Sequence, residues 1–218
     1  MTSLSAPSHP IHWLQHGGQR LGLIPGLGGS VAAWQRDAGQ GLVDIWRPWA
    51  GAADLYTTAS FPLVPWSNRI GQGGFSHAGT HHPMRPNRAG EPYPIHGDGW
   101  LQPWVIQQPR HDTLELHLES SRFDGNPYHY RALQRFVLRD DGMDQLLEVT
   151  HLGPGSLPYG LGQHPAFVRT PNARLHAQVE GVWLSGADPM PTGFTTLFPT
   201  GWDPRSGMEV SGSLIDNA

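Results

Sequence analysis

The sequence predicts an all-β protein, and two observations support that prediction. Glycine and proline are frequent, at 28 and 21 of 218 residues, which suits short strands joined by turns rather than long helices. Leu114, Leu116 and Leu118 alternate with polar residues, as in a strand with one buried face. Because all-β domains of this length commonly form one unit, we expect a single domain over residues 1–218.

Hydrophobic alternation and turn residues predict the individual strands. Residues 11–15 and 20–24 flank a Gly-Gly turn and should form a hairpin. The strand with the alternating leucines, residues 131–138 and residues 145–152 should form an antiparallel meander. A further strand is predicted at 174–180. Residues 71–103 are predicted to be a long irregular stretch, a type of segment that is usually functional or disordered. The natural class is a β-sandwich.

Composition excludes several classes of function. The net charge of −4 argues against nucleic acid or an anionic membrane as the main partner. No run of about 18 apolar residues is present, so we expect no membrane span. The lack of cysteine excludes disulfides and thiol nucleophiles and fits a reducing compartment, so we expect a cytoplasmic location.

Three patterns resemble functional motifs but favour ordinary structure. Residues 24–31 are glycine-rich yet lack the residues of a dinucleotide or phosphate loop, and they predict a turn. Ser156 lacks the Gly-x-Ser-x-Gly pattern of a serine hydrolase. His77, His81 and His82 would need a helix to align as metal ligands. Nearby glycine and proline disfavour one, so we expect an exposed loop and no metal.

Three segments combine polar side chains with a backbone constrained by proline and glycine. The first, residues 61–70, ends in Asn68-Arg69, where the arginine suits vicinal hydroxyls or a carboxylate. A structural ion pair is an equally good interpretation of that arginine. The second and third segments, residues 93–100 and 159–167, each contain one histidine in a Gly- and Pro-containing stretch.

In this order and spacing, the three segments resemble the aldose 1-epimerase (galactose mutarotase-like) family, from residue 26 onward. The resemblance implies a twisted antiparallel β-sandwich, called a supersandwich, that binds sugar on an open concave face. It also implies interconversion of the α and β anomers of a free aldohexose such as galactose or glucose. The reaction needs proton transfers only, so no cofactor is implied, and a histidine with a pKa near 6.5 suits it.

The resemblance also implies roles for single residues. His164 would be the general acid at the ring oxygen, and His96 would hydrogen-bond the ring oxygen or a neighbouring hydroxyl. Arg69, with Asn68 nearby, would hold ring hydroxyls, as would Asp216. For Trp100, stacking on the sugar and packing in the protein are equally good interpretations.

The chain departs from the family pattern at two points. Ala166 stands where an aromatic residue usually follows the His-Pro pair, which would alter one wall of the pocket. The family's general base is a glutamate well downstream of the Asp216 position, and Ala218 ends the chain before it. Glu209 lies in the wrong motif context to replace that base. We therefore expect a domain truncated after Ala218, with weak or no activity.

Two alternative functions stay open. One is a protein of the same fold that binds carbohydrate without turnover. The other is a hexose-6-phosphate epimerase, which needs extra cationic residues near the site. Arg85 and Arg88 are candidates for that role, although a solvated loop face also explains them. The oligomeric state does not follow from the sequence.

Overall fold

A computed structural model describes residues 9–210 and confirms the all-β prediction. The strands are β1 (His12–His16), β2 (Gln19–Ile24), β3 (Ser30–Asp37), β4 (Leu42–Asp44), β5 (Pro62–Leu63), β6 (Gly74–His77), β7 (Thr80–Pro83), β8 (Val105–Arg110), β9 (Thr113–Ser121), β10 (His129–Leu138), β11 (Met143–His151), β12 (Gly162–Gln163), β13 (Arg174–Leu175), β14 (Val182–Ser185), β15 (Pro191–Thr195) and β16 (Met208–Glu209). Short 3₁₀ helices cover Leu55–Thr57, Gly99–Leu101, Phe123–Gly125 and Pro204–Ser206. None of these helices has the length and hydrophobicity that a bilayer crossing requires.

Two four-stranded antiparallel sheets form the body of the fold. One has the order β1-β2-β3-β4 and the other the order β11-β10-β9-β8. The first sheet contains the predicted hairpin, and the second contains the predicted meander. Their apolar faces share one buried cluster, which includes Leu21 and Leu23 from the first sheet and Leu116 and Phe136 from the second. This packing is the predicted sandwich.

The alternation in β9 explains why it is a strand with two unlike faces. Leu114, Leu116 and Leu118 are buried, whereas Glu115 and His117 between them are partly exposed. Successive side chains of a strand point to opposite faces, so every second residue enters the core. Each leucine that is fully removed from water contributes about 1.5–3 kcal/mol.

The long stretch predicted to be irregular contains a hairpin, β6–β7, and this part of the prediction was wrong. Its register pairs Phe75 with His82 and Ser76 with His81. Gly74 permits the pairing, because its φ is 150° and a Cβ there would lie 2.1 Å from the carbonyl oxygen of His82. The predicted strand at 174–180 was also too long, since β13 covers only its first two residues.

The chain divides into two compact units, one up to Val168 and one from Arg169. The first contains both large sheets. The second contains the pairs β13–β16 and β14–β15, and the rings of Trp183 and Phe194 meet across the latter pair at 5.2 Å. One domain over the whole chain stays a prediction.

A matched pair of leucine substitutions tests the position of the core. Leu116 is fully buried in β9, whereas Leu146 in β11 is 42% exposed. We expect Leu116→Ala to lower the free energy of unfolding by about 2–5 kcal/mol, because it leaves a cavity in the sandwich. Leu146→Ala should change it by about 0.5 kcal/mol or less. Urea denaturation of both variants gives the comparison, and equal losses would contradict the described core.

Candidate functional site

The polar segment 61–70 lies between the segments 159–167 and 93–100 and pairs with both. On one side, β5 pairs with β12, with Leu63 opposite Gly162. The same register lets the N–H of His164 donate to the carbonyl of Phe61 at 3.0 Å. His164 is thereby held beside the apolar run that precedes Asn68.

On its other side, the first segment contacts the segment that contains His96. A parallel bridge joins Val64 to Gly97, and an antiparallel bridge joins Arg69 to Ile95. Gly97 has a φ of 76°, and a Cβ there would lie 1.9 Å from the carbonyl oxygen of Val64. Glycine is therefore required where the two backbones approach. The sequence singled out three segments, and the structure brings all three together.

His96 is tied to the main chain of Asn68 by two hydrogen bonds. The N–H of His96 donates to the carbonyl of Asn68 at 2.9 Å, and the N–H of Asn68 donates to Nδ1 of His96 at 3.1 Å. Since Nδ1 accepts, the neutral ring carries its hydrogen on Nε2. The φ of His96 is 61°, a left-handed conformation that the surroundings must hold in place.

Asn87 supplies much of that support. Its Nδ2 donates to the carbonyls of Ile95 at 2.8 Å and Gly97 at 2.7 Å, and its Oδ1 accepts from the N–H of Ile95 at 2.8 Å. These three bonds grip the backbone on both sides of His96. Sequence reasoning missed this residue, because nothing in its local pattern indicates partners eight and ten positions away.

Four rings pack against one another at the histidine pair, namely His96, His164, Phe61 and Tyr56. The imidazoles of His96 and His164 lie 5.4 Å apart at 71°. His164 stacks on Phe61 at 4.6 Å and 10°. The ring of Tyr56 lies 6.4 Å from His96 and 5.9 Å from His164. Sequence reasoning also missed Tyr56, which comes from a separate 3₁₀ helix.

The environment lowers the pKa of His96 to about 4. Burial is the largest cause, because it disfavours the charged ring, and the nearby charges of His164 and Arg69 add to it. His96 is therefore neutral at physiological pH and carries its hydrogen on Nε2, where it can donate to a ligand.

Arg69 forms a bidentate ion pair with Glu91. Nε donates to Oε2 at 3.0 Å and Nη2 donates to Oε1 at 3.2 Å, with both side chains largely buried. Of the two interpretations given to Arg69, the ion pair is therefore present. Since arginine has five N–H donors and the carboxylate takes two, donors remain for a ligand. Glu91 is another contributor that the sequence did not single out.

Trp100 lies beneath the site. Its side chain is 9% exposed, and Nε1 donates to the carbonyls of Gly97 at 3.0 Å and Ile95 at 3.3 Å. It belongs to a buried cluster with Phe61 and Leu63. Of the two interpretations of Trp100, the structure supports packing.

The buried side chain of Asp98 fixes the loop that contains His96. Its carboxylate accepts hydrogen bonds from Tyr130, Asn126, Ser120 and Gln102. Burial raises the pKa of this carboxyl. Because three of these partners lie beyond Trp104, in or next to β9 and β10, the network attaches the loop that carries His96 to the large meander sheet.

The remaining candidates are placed as follows. Asp216 lies outside the described residues. His81 and His82 lie on β7 rather than in a loop, and His77 ends β6, where its Nε2 is 2.9 Å from Oγ of Ser156. Residues 9–210 contain no group of three or more acidic, histidine or cysteine side chains placed to hold a metal ion.

Comparisons with known proteins identify the family. A family model described as Aldose 1-epimerase matches residues 11–218, and the chain belongs to that family. An uncharacterized protein of Escherichia coli K12, YphB, is 34% identical over 174 residues. That match covers 80% of this chain and 57% of YphB, so the chain spans little more than half of that relative.

Solved structures give the same fold. An E. coli K12 protein provisionally assigned as an aldose 1-epimerase superposes with a TM-score of 0.85 and 31% identity, covering 93% of this chain and 67% of the other. A GalM/aldose epimerase homologue from C. elegans superposes with a TM-score of 0.75 and 16% identity, covering 92% and 66%. The fold is therefore galactose mutarotase-like, as predicted.

The protonation of His96 provides a direct test of the site. We expect its ring to titrate with a midpoint near pH 4 in an NMR pH series and to stay neutral from pH 6 to 8. Because folding lowers this pKa, the stability that neutral His96 contributes is complete above about pH 6.5 and is lost as the pH falls towards 4. A midpoint near 6.5 would contradict the described burial.

Proposed function

We propose that the chain is an aldose 1-epimerase that interconverts the α and β anomers of an aldohexose. The observation that supports this most directly is the histidine pair, with the rings of His96 and His164 5.4 Å apart and one edge of the pair open to solvent at His164. Membership of the aldose 1-epimerase family supports the same class of reaction and a monosaccharide as the partner.

The proposed chemistry consists of two proton transfers. The C1 hydroxyl loses its proton as the bond between C1 and the ring oxygen breaks, and the ring oxygen gains a proton. C1 becomes an aldehyde carbon, rotation about C1–C2 presents its other face, and closure reverses both transfers. No atom changes oxidation state overall. A positioned acid or base contributes typically 10²–10⁴-fold to such a step.

The two histidines differ in environment, and this difference supports different roles. His96 is neutral and fixed by the Asn68 main chain, so it suits a hydrogen-bond donor to the ring oxygen or an adjacent hydroxyl. His164 is more exposed and suits the group that gives the ring oxygen its proton and takes it back. Arg69 and Asn68 at the same site, and Asp216, are proposed to hold ring hydroxyls.

The group that removes the C1 hydroxyl proton is not assigned within residues 9–210. In that range, the carboxylate whose charge acts on His96 is Glu91, and Arg69 holds it in an ion pair. Both of its oxygens accept hydrogen bonds from Arg69.

Polarimetry of freshly dissolved α-D-glucose and α-D-galactose tests the proposal. We expect the chain to speed the approach to anomeric equilibrium above the buffer rate, and His164→Ala to remove that increment while binding weakens only modestly. His81→Ala is a matched control, because it removes an exposed histidine on the β6–β7 hairpin.

Two outcomes would contradict the proposal. One is an unchanged rate in His164→Ala, which would exclude His164 as the acid. The other is sugar binding without any increment over buffer in the unaltered chain, which would support the alternative of a non-catalytic carbohydrate-binding protein.

A further inference from the structure

A second arginine stands beside the histidine pair. The guanidinium carbon of Arg88 lies 3.4 Å from the centre of the Tyr56 ring, and the side chain is half-buried. The ring of Tyr56 in turn contacts both His96 and His164. Arg88 is therefore one ring away from the two imidazoles, and its charge acts on His96.

The contact with Tyr56 takes at most one N–H of Arg88 as a hydrogen-bond donor, so its other donors remain for a ligand. A guanidinium that stacks uses its flat face, whereas its five N–H donors lie in the plane and point outward. Residues 9–210 offer no carboxylate within ion-pair distance of Arg88. A guanidinium with available in-plane N–H donors can bind a phosphate or carboxylate group through two parallel hydrogen bonds.

The neighbouring charges do not neutralise Arg88. The N–H of Glu91 donates to the carbonyl of Arg88 at 3.2 Å, so one turn presents both side chains. The Glu91 carboxylate is bound by Arg69 on both oxygens. Arg69, Glu91 and Arg88 all act on His96. The charges of Arg69 and Glu91 offset each other, and the positive charge of Arg88 remains uncompensated among the three. A neutral aldose has no group that requires it.

We infer that Arg88 is a specificity-determining residue that binds an anionic substituent, a phosphate or carboxylate, on the sugar held at the histidine pair. The inference rests on the proposed function, because it places an aldose against the pair formed by His96 and His164. The substrate class is then an anionic aldose, and neutral hexoses are weaker ligands.

Arg85 does not share this position, although it lies only three residues away. Its exposed side chain lines a cavity of about 420 Å³ together with Met84, Asp98 and Asp124. Arg88 is not part of that lining. Of the two arginines that the sequence offered as extra cations, the structure therefore favours Arg88.

Calorimetric titration of the 218-residue chain with three sugars tests the inference. D-Glucose is the neutral reference, D-glucose 6-phosphate supplies a phosphate and D-glucuronate a carboxylate. We expect at least one anionic sugar to bind about 10- to 100-fold more tightly than glucose, as charge-assisted hydrogen bonds allow. The arm with the larger preference identifies the anionic group.

Three arginine variants locate the effect. Arg88→Gln should remove the preference, and Arg88→Lys, which keeps the charge but loses the fork, should leave an intermediate one. Arg85→Gln removes the same charge from the same loop and should keep the full preference. Thermal unfolding of each variant establishes that it is folded before the ratios are compared.

The outcomes separate this inference from the proposed function. Equal binding of glucose and both anionic sugars, or a preference that survives Arg88→Gln, would overturn the inference while mutarotation could still be observed. Preferential binding that depends on Arg88, without mutarotation by polarimetry, would support the inference and contradict the proposed reaction. Failure of all three sugars to bind would overturn both.

Discussion

The site depends on the pair of hydrogen bonds between the main chain of Asn68 and His96. One bond joins two loop segments that are 28 residues apart, and the other fixes which ring nitrogen of His96 carries hydrogen. Burial then keeps this ring neutral. A histidine that cannot easily charge and cannot easily turn is suited to hold a ligand, and the proposed function therefore assigns proton transfer to its neighbour His164.

Apolar packing and hydrogen bonding both stabilise the positions of His96 and His164. Apolar packing beneath the histidines comes from a cluster that includes Phe61, Leu63 and Trp100. Hydrogen bonding comes from Asn87, which grips the backbone around His96, and from the buried Asp98 network. Strained backbone such as the left-handed conformation of His96 costs about 1–3 kcal/mol and persists only where surroundings hold it in this way.

The sequence could predict the features that depend on local pattern. Alternating leucines and a Gly-Gly turn define the meander and the first hairpin, and the Pro- and Gly-containing segments around Asn68, His96 and His164 indicate rigid polar loops. The family resemblance rested on those segments. It was therefore enough to predict the fold and to predict that the three segments lie together.

Other features depend on contacts that no local pattern encodes. Arg69 could equally have been a sugar ligand or an ion-pair partner, because Glu91 is 22 residues away along the chain. Tyr56 and Asn87 were missed for the same reason. The β6–β7 hairpin was missed because its glycine and proline residues have low strand propensity, and its pairing depends on the close backbone approach at Gly74.

The most direct test of the central claim is a long-range ¹H–¹⁵N spectrum of the histidine rings at pH 7, recorded without sugar and with saturating D-glucose or D-glucose 6-phosphate. We expect His96 to be neutral with hydrogen on Nε2, and the signals of both His96 and His164 to shift on addition of sugar, while those of His81 stay unchanged. Hydrogen on Nδ1 of His96, or a sugar that shifts neither ring of the pair, would contradict it.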